Sequence, residues 1–517
     1  MSRKKRWLIG IAVFIAILVV GAFIAASIIA KNFEPMLRAQ AVQYLRDRFH
    51  SDVELRGLHI NRPKMSTLQI LLRHGRGAIV AVEGDGLVMH LSGDAASPPL
   101  FRINRVFFTL DLGMLFESKK SVNFVKLQGV EINVPPKGER RSWQGGSGGN
   151  VIIEDAQIEN AALVLLPKDV SRKPLRFHIA QLHLKSVGLN SAMRYDADLE
   201  IPKPPGHVKS SGDFGPWDAS APGDTPLKGA YSFDHADLGI FAAIAGTLSS
   251  KGTFDGSLNA VHARGTTYVP NFQLKMAGNP VPLSTTFDAT VDGTNGNTEL
   301  KPVRATLGHT TFTTTGAVIK HEDYSHRSIN LKVNMPHGDM RDLLRLAMKG
   351  PPFMEGFIHM QSSIDIPPLT SKVKQKLRLD GTFDLSDAKF LKSSIQDQID
   401  QLSRRGQGQP KNWDIDEVIS KMEGSFQLEN QVMMFRSLAF EVPGAAVSVS
   451  GNYNLANDML DFHGALKLNA KLSETMSGWK RWVLKPVDPF FAKNGAGTYL
   501  KIKIEGNAHQ PKFGLDR

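Results

Sequence analysis

The chain has 517 residues, with 62 lysines and arginines against 50 aspartates and glutamates, a formal net charge of +12, and no cysteine. A hydrophobic fraction of 42% is that of a globular chain and excludes a polytopic membrane protein. The missing cysteine excludes disulfides, thiolate nucleophiles and cysteine-ligated zinc or iron–sulfur centres. The positive excess suits an anionic lipid surface, but it is spread along the chain, so no basic face points to nucleic acid.

Taken in chain order, the first element is apolar. Residues Trp7 to Ala30 carry no charge and include Leu8, Phe14 and Phe23, a run longer than the ~20 residues a helix needs to span a bilayer. Arg3, Lys4, Lys5 and Arg6 precede it, so the positive-inside rule keeps this end cytoplasmic and translocates the chain beyond Lys31. Small residues at Ala25, Ala26 and Ser27 would suit a cleaved signal peptide, whose apolar core is usually only ~7–15 residues. The reading is an uncleaved single-pass anchor. Residues Glu34 to His50 then read as an amphipathic helix with Val42 and Leu45 on its apolar side.

From Val53 onward the dominant period is two. Ser328 to Met335 alternates polar and apolar throughout, as do Val447 to Ser450, Leu466 to Asn469 and Leu500 to Glu505. This marks antiparallel strands with one wet face. Alternation nominates one apolar set: Ile329, Leu331, Val333, Phe383, Leu385, Phe426, Leu428, Val447, Val449, Leu500, Ile502 and Ile504. Asn295-Gly296 predicts a type I′ hairpin turn. A unit of glycine, a small or polar residue, then a large apolar residue recurs at Gly229, Gly252, Gly381, Gly424 and Gly451, and its glycines predict bulges or bends. Helices are expected at 339–348, 387–405 and 472–484. The last places Trp479 and Trp482 beside Lys480, Arg481 and Lys485, which reads either as a cap on an open sheet end or as a membrane-interface element.

Two stretches are loop-like: the Gly/Ser-rich 143–150, and Ile201 to Pro226, whose six prolines predict a linker. These boundaries divide the chain into four regions. Residues 1–30 are a basic stub and anchor, 31–150 a stalk helix and first β region, 151–215 a middle β region with the linker, and 216–517 a β-groove region with helices near 387–405 and 472–484.

No active site emerges. Gly145 to Gly149 spells G-x-S-x-G but lacks the strand before and the helix after that a nucleophile elbow needs. There is no Walker A and no HExxH sequence. His178 and His183, five apart on a strand, should point to opposite faces. Asp288 and Asp292 lack the intervening ligands of a calcium loop. The expectation is a non-enzyme with no catalytic residue, no cofactor and no metal. Its apolar faces either meet one another in a dry sandwich or curl into a gutter filled by acyl chains.

The order of these patterns resembles the AsmA-like family of diderm bacteria, related in architecture to TamB and the chorein-type bridge-like lipid transfer proteins. The resemblance rests on the anchor and its following helix, Asp52 to Gly57, and Val125 to Pro135. It also rests on Phe287 to Gly296 with Leu307-Gly308 and Thr315-Gly316, and on the ending Gly497 to Gly506 with Pro511-Lys512-Phe513. It implies a mainly β fold in which a transmembrane helix precedes a long curled antiparallel sheet, a β-groove with a few short capping helices. It further implies an inner-membrane anchor, a periplasmic body, phospholipid as partner, and a part in lipid transfer between inner and outer membranes. The other reading is a non-enzymatic assembly or structural factor that contacts outer-membrane or other envelope proteins.

Overall fold

The computed structural model describes residues 51–61, 76–91, 98–111, 120–134, 151–167, 173–188, 191–216 and 221–516, apart from a few loop positions, together with scattered positions between 38 and 46 and two single positions at 65 and 113. The expected anchor, with Arg3, Lys4, Lys5, Arg6, Trp7, Leu8, Phe14, Phe23 and Ala30, lies outside the described residues, as does the Gly/Ser-rich stretch 143–150. No helix among the described residues is long and apolar enough to cross a membrane.

The described chain is mainly β, with 24 strands, and divides into two units. The first, largely up to Ile240, holds β1 (Ser51–Asn61), β2 (Ile79–Leu91), β3 (Phe101–Asp111), β4 (Lys120–Val134), β5 (Val151–Leu165), β6 (Leu175–Val187), β7 (Met193–Pro202), β8 (Pro205–Phe214) and β9 (Pro226–Asp237). It also takes β11 and the first part of β12, whereas β10 and the rest of β12 go with the second unit (β10 Ile244–Ala245, β11 Thr247–Ser257, β12 Ala260–Leu274).

In the first unit each strand from β1 to β9 pairs with the next, antiparallel except for one junction. That exception corrects the all-antiparallel expectation: β4 and β5 are parallel, from Lys120 beside Val151 to Val134 beside Leu165. A parallel neighbour needs a crossover that returns the length of the strand. Residues 135–150 can span roughly 55 Å, more than the ~46 Å of a 15-residue strand. The predicted linker at 201–226 is likewise corrected, because β8 lies inside it and is paired on both edges. Its prolines sit at strand ends, with Pro202 opposite Pro205 and Pro226 opening β9, where a missing N–H costs no ladder bond.

The inward face of β1 to β5 is a dry core. Val53, Phe108 and Val125 are all 0% exposed. Val42, from the expected amphipathic helix, packs against it. Arg38 and Arg46 donate to the outer-edge carbonyls of Arg56 (2.7 Å) and Val53 (3.4 Å) on β1.

A crease crosses this unit. In β1 the buried residues are Leu55 then Leu58, in β3 Ile103 then Val106, and in β4 Leu127 then Val130. Each strand therefore turns two successive residues outward at one level, and Gly86, Gly129 and Asn160 take positive φ there. All strands break together, so Leu55, Leu87, Ile103 and Val130 still pair in a row. The crease continues into β6, where Ile179 and Leu184 both reach the core although five apart. His178 and His183 consequently share the outer face, which corrects the simple alternation reading. They bond different partners, Asn160 at 3.2 Å and Asp155 at 2.9 Å.

The second unit runs β13 (Val281–Val291), β14 (Thr298–Leu307), β15 (Thr310–Lys320), β16 (Arg327–Asp339), β17 (Met354–Ile366), β18 (Arg378–Phe390), β19 (Ser420–Glu429), β20 (Val432–Val442), β21 (Ala445–Asn454), β22 (Met459–Leu468), β23 (Thr498–Asn507) and β24 (Lys512–Leu515). Every neighbouring pair from β13 to β24 is antiparallel. The β13–β14 connection is longer than the predicted two-residue turn. Asp292 bonds the Thr294 N–H (2.8 Å), and Gly296 alone carries the positive φ of the predicted Asn-Gly pair.

Between the strands lie α1 (Met340–Ala347), α2 (Val373–Lys376), α3 (Ser393–Gly406), α4 (Trp479–Leu484) and α5 (Asp488–Phe491). Residues 387–390, expected in a helix, end β18 instead, and the expected 472–484 helix is a short 3-10 turn, Leu472–Thr475, followed by α4.

Candidate functional site: the apolar face of the second unit

In an antiparallel ladder, directly opposed residues share a face. Following partners from β16 to β23 gives a row of Val333, Ser362, Gly381, Phe426, Phe435, Gly451, Phe462 and Ile504. Rows on either side carry Leu331 to Leu428, Phe383 to Val449 and Ile502, and Leu385 to Val447 and Leu500 by the same pairings. Ile329 lies two residues from Leu331 on β16. All twelve residues that alternation nominates therefore lie on one face of eight successive strands. At ~4.8 Å per strand the rows are roughly 34 Å long.

Coverage of this face is uneven. At one end of the strands α1 shields Met335, Ile358 and Leu385, and α3 shields Val442, Ala445 and Leu468. Away from the helices the side chains are half-buried: of the twelve, only Leu385, Leu428 and Val449 are buried. The opposite face is wet, with Lys332, Asp380, Thr382 and Asp384 exposed. Arg436 bridges Asp380 at 3.1 Å and Arg378 bridges Glu429 at 3.2 Å, exposed pairs worth under ~1 kcal/mol each.

Some of the recurring glycines have a second role beside the bends expected of them. Gly381 lies opposite Phe426, and Phe383 lies opposite Gly424. A Cβ on Gly381 would stand 2.9 Å from the Phe426 ring, and one on Gly424 would stand 3.0 Å from the Phe383 ring. Each aromatic lies over the bare backbone of its neighbour, with the two ring centroids 6.3 Å apart. Gly229 seats Phe254 the same way, at 2.8 Å, in the first unit. None of Gly229, Gly381, Gly424 and Gly451 has positive φ, but two of them border irregular pairing as predicted: register shifts fall between Ser425 and Phe426, next to Gly424, and between Phe435 and Leu438, opposite Gly451. The sequence signal was present in the glycine-to-aromatic spacing. What it lacked was the pairing that sets the ring of one unit on the glycine of the next.

The helices are held by buried carboxylates. Asp342 of α1 accepts from His309 N (2.6 Å) and Thr310 Oγ1 (3.2 Å) at the β14–β15 turn. Asp400 of α3, 1% exposed, accepts from Val418 N (2.9 Å), Glu417 N (3.2 Å) and Gln396 Nε2 (2.9 Å). Asp488 of α5 accepts from Ser473 N (2.8 Å) and Oγ (2.7 Å). Charge-assisted bonds of this kind are stronger than neutral ones and satisfy the backbone donors of turns that must lie against a helix.

Two clusters of metal-compatible side chains occur among the described residues, His309 with Asp339 and Asp342, and Asp461 with His463 and Glu505. In the first, Asp342 already clamps the turn and Asp339 caps α1 by accepting from Arg341 N (2.8 Å). In the second, His463 bonds Asp461 and Asp516, both at 3.0 Å, and the two carboxylates raise its pKa above the usual histidine range. No known protein family, characterised protein or solved structure matches the chain.

Proposed function

We propose that the chain is a membrane-anchored, non-enzymatic lipid-binding protein whose second unit holds phospholipid acyl chains on the apolar face of β16 to β23. One observation carries the reading: twelve apolar side chains on one face, nine of them half-buried, opposite a face that exposes Lys332, Asp380, Thr382 and Asp384. Covering such a face with hydrocarbon is favourable by ~0.8 kcal/mol for each CH₂ taken from water. Headgroups would remain wet at the margin, so the site needs no charged pocket. The apolar run 7–30 would anchor the chain in an inner membrane with its body in the periplasm. Lipid transfer toward an outer membrane, as the AsmA-like resemblance implies, is the role such a face would serve.

A photo-crosslinking amino acid at Phe426 tests this in the full-length chain expressed in membranes, with the same label at Thr382 on the wet face as control. Phospholipid adducts at 426 and not at 382 are expected. Equal labelling, or none at 426 in a folded chain, would remove the proposal.

A further inference from the structure

Strand β24 carries two exposed apolar side chains beside a bare edge. Phe513 is 75% exposed and Leu515 62%. They pair with Ile504 and Ile502 on β23, so they extend the apolar rows by one strand. The hydrogen-bond phase is fixed by Asp516, whose N–H donates to the Lys501 carbonyl at 3.0 Å. Bonded pairs alternate along an antiparallel ladder. Lys512, Gly514 and Asp516 therefore bond inward to β23, and the N–H and C=O groups of Phe513 and Leu515 point to the other edge. Among the described residues no strand takes that edge. Edges are ordinarily blunted by charge or proline. Here the two residues that offer bonds are apolar, and Pro511 lies before the strand.

Lipid can cover the two side chains but cannot satisfy their backbone donors and acceptors. A strand can do both, and β24 is complementary to itself. In an antiparallel pair with a two-fold axis at Gly514, Phe513 stands opposite Leu515 of a second copy as a bonded pair. The edge groups of both residues are then used on both copies. Phe513 lies beside the partner's Leu515 on the apolar face, and on the opposite face Lys512 meets the partner's Asp516. Asp516 already bonds His463 through Oδ2 (3.0 Å), and a carboxylate has a second oxygen for the lysine. We infer that β24 is a homotypic docking edge through which two copies of this chain join sheet to sheet. A second copy is favoured over an unrelated strand because the bonding phase, the apolar pair and the unlike charges all agree in one register. Four residues bury less than the ~1,000 Å² of a stable soluble dimer, so the pair is a weak one. It needs no lipid on the apolar face and stands without the proposed function.

The chain has no cysteine, so single cysteines report the pairing directly. At the axis the two Gly514 positions form an unbonded pair with Cα atoms about 4.5 Å apart, inside the ~4.4–6.8 Å span of a disulfide. A Cβ on Gly514 would meet Lys503 at an ordinary 3.7 Å. Full-length G514C in membranes should therefore oxidise to a disulfide dimer. K512C should not join to itself, its two copies standing ~13 Å apart along the strand, but should join to D516C when the two chains are co-expressed. N452C, exposed elsewhere on the sheet, should stay monomeric. In the G514C chain, L515P removes an edge N–H without touching the β23 ladder and should cut the dimer yield roughly tenfold. K512E in the same chain should cut it roughly threefold. Unchanged thermal unfolding of these variants separates the losses from misfolding. No dimer at 514, equal dimer from K512C alone, an adduct to a different protein, or a yield indifferent to L515P and K512E would each overturn the inference. Adducts at Phe426 report on lipid alone, so the two readings can fail separately.

Discussion

The first five strands and strands β16 to β23 use the same alternation and arrive at opposite states. In the former, Val53, Phe108 and Val125 are wholly removed from water, with Val42 from outside the strands packed against them. In the latter, Leu331, Phe426 and Ile504 keep part of their surface open, and helices cover one end only. The inward composition differs accordingly. The first face is dense in valine, isoleucine and leucine, whereas the second interleaves phenylalanine and methionine with Gly381, Gly424 and Gly451. A dry core needs tightly interlocked side chains. A face of rings seated on glycines is smooth and deformable, and suits a fluid partner better than a fixed one.

The comparison breaks most directly under truncation. Phe108→Ala should cost ~4 kcal/mol in denaturant unfolding, the usual loss for a fully buried ring, and Phe426→Ala less than half of that. Equal losses would mean that the second face is as dry as the first. The next largest effect concerns the cover over the second face. Asp400→Ala strands the Val418 and Glu417 N–H groups and should cost ~3 kcal/mol, with hydrogen exchange of α3 rising ahead of the strands beneath it. Protection of α3 that stays intact would show the helix to be held by apolar contacts alone.

Smaller again is Gly424→Ala. The added methyl would meet the Ser437 carbonyl oxygen at 2.8 Å and the Phe383 ring at 3.0 Å, for a loss of ~1–2 kcal/mol. Combining it with Phe383→Leu should return part of that loss in a double-mutant cycle. Strict additivity would deny that the glycine exists to seat the ring. The smallest effect is at β24, where protonated His463 bonds Asp516. Because its folded pKa is raised, this support is complete below the unfolded histidine value and is lost as pH rises through the folded one. The protection factor of amides 512–516, taken against the intrinsic base-catalysed exchange rate, should therefore fall from mildly acidic to alkaline buffer. His463→Gln should abolish that dependence.

Much of the second unit was legible in the chain itself. Period-two runs such as Ser328 to Met335 need only local backbone geometry, which sends successive side chains to opposite faces. The twelve nominated residues consequently share a face without any knowledge of their neighbours. The helix at Met340–Ala347 was legible for the same local reason, from Leu343, Leu344 and Leu346, while its start at an Asp339 cap came from the structure. The crease in the first unit was written in the sequence as well, in apolar–polar–polar–apolar runs such as Leu55-Arg56-Gly57-Leu58 and Leu127-Gln128-Gly129-Val130. It is recognisable only when these runs are aligned across strands. For that reason simple alternation assigns His178 and His183 to the wrong pair of faces.

What remained for the tertiary structure to decide is everything that depends on which distant segment arrives at a strand. Alternation could not reveal that β5 enters parallel to β4, that β8 pairs through a proline-rich stretch, or that Gly381 waits for Phe426. Nor could it tell the dry face of β1 to β5 from the half-open face of β16 to β23. Both obey the same local rule, and whether an apolar face is covered is a property of long-range packing that no period along the chain encodes.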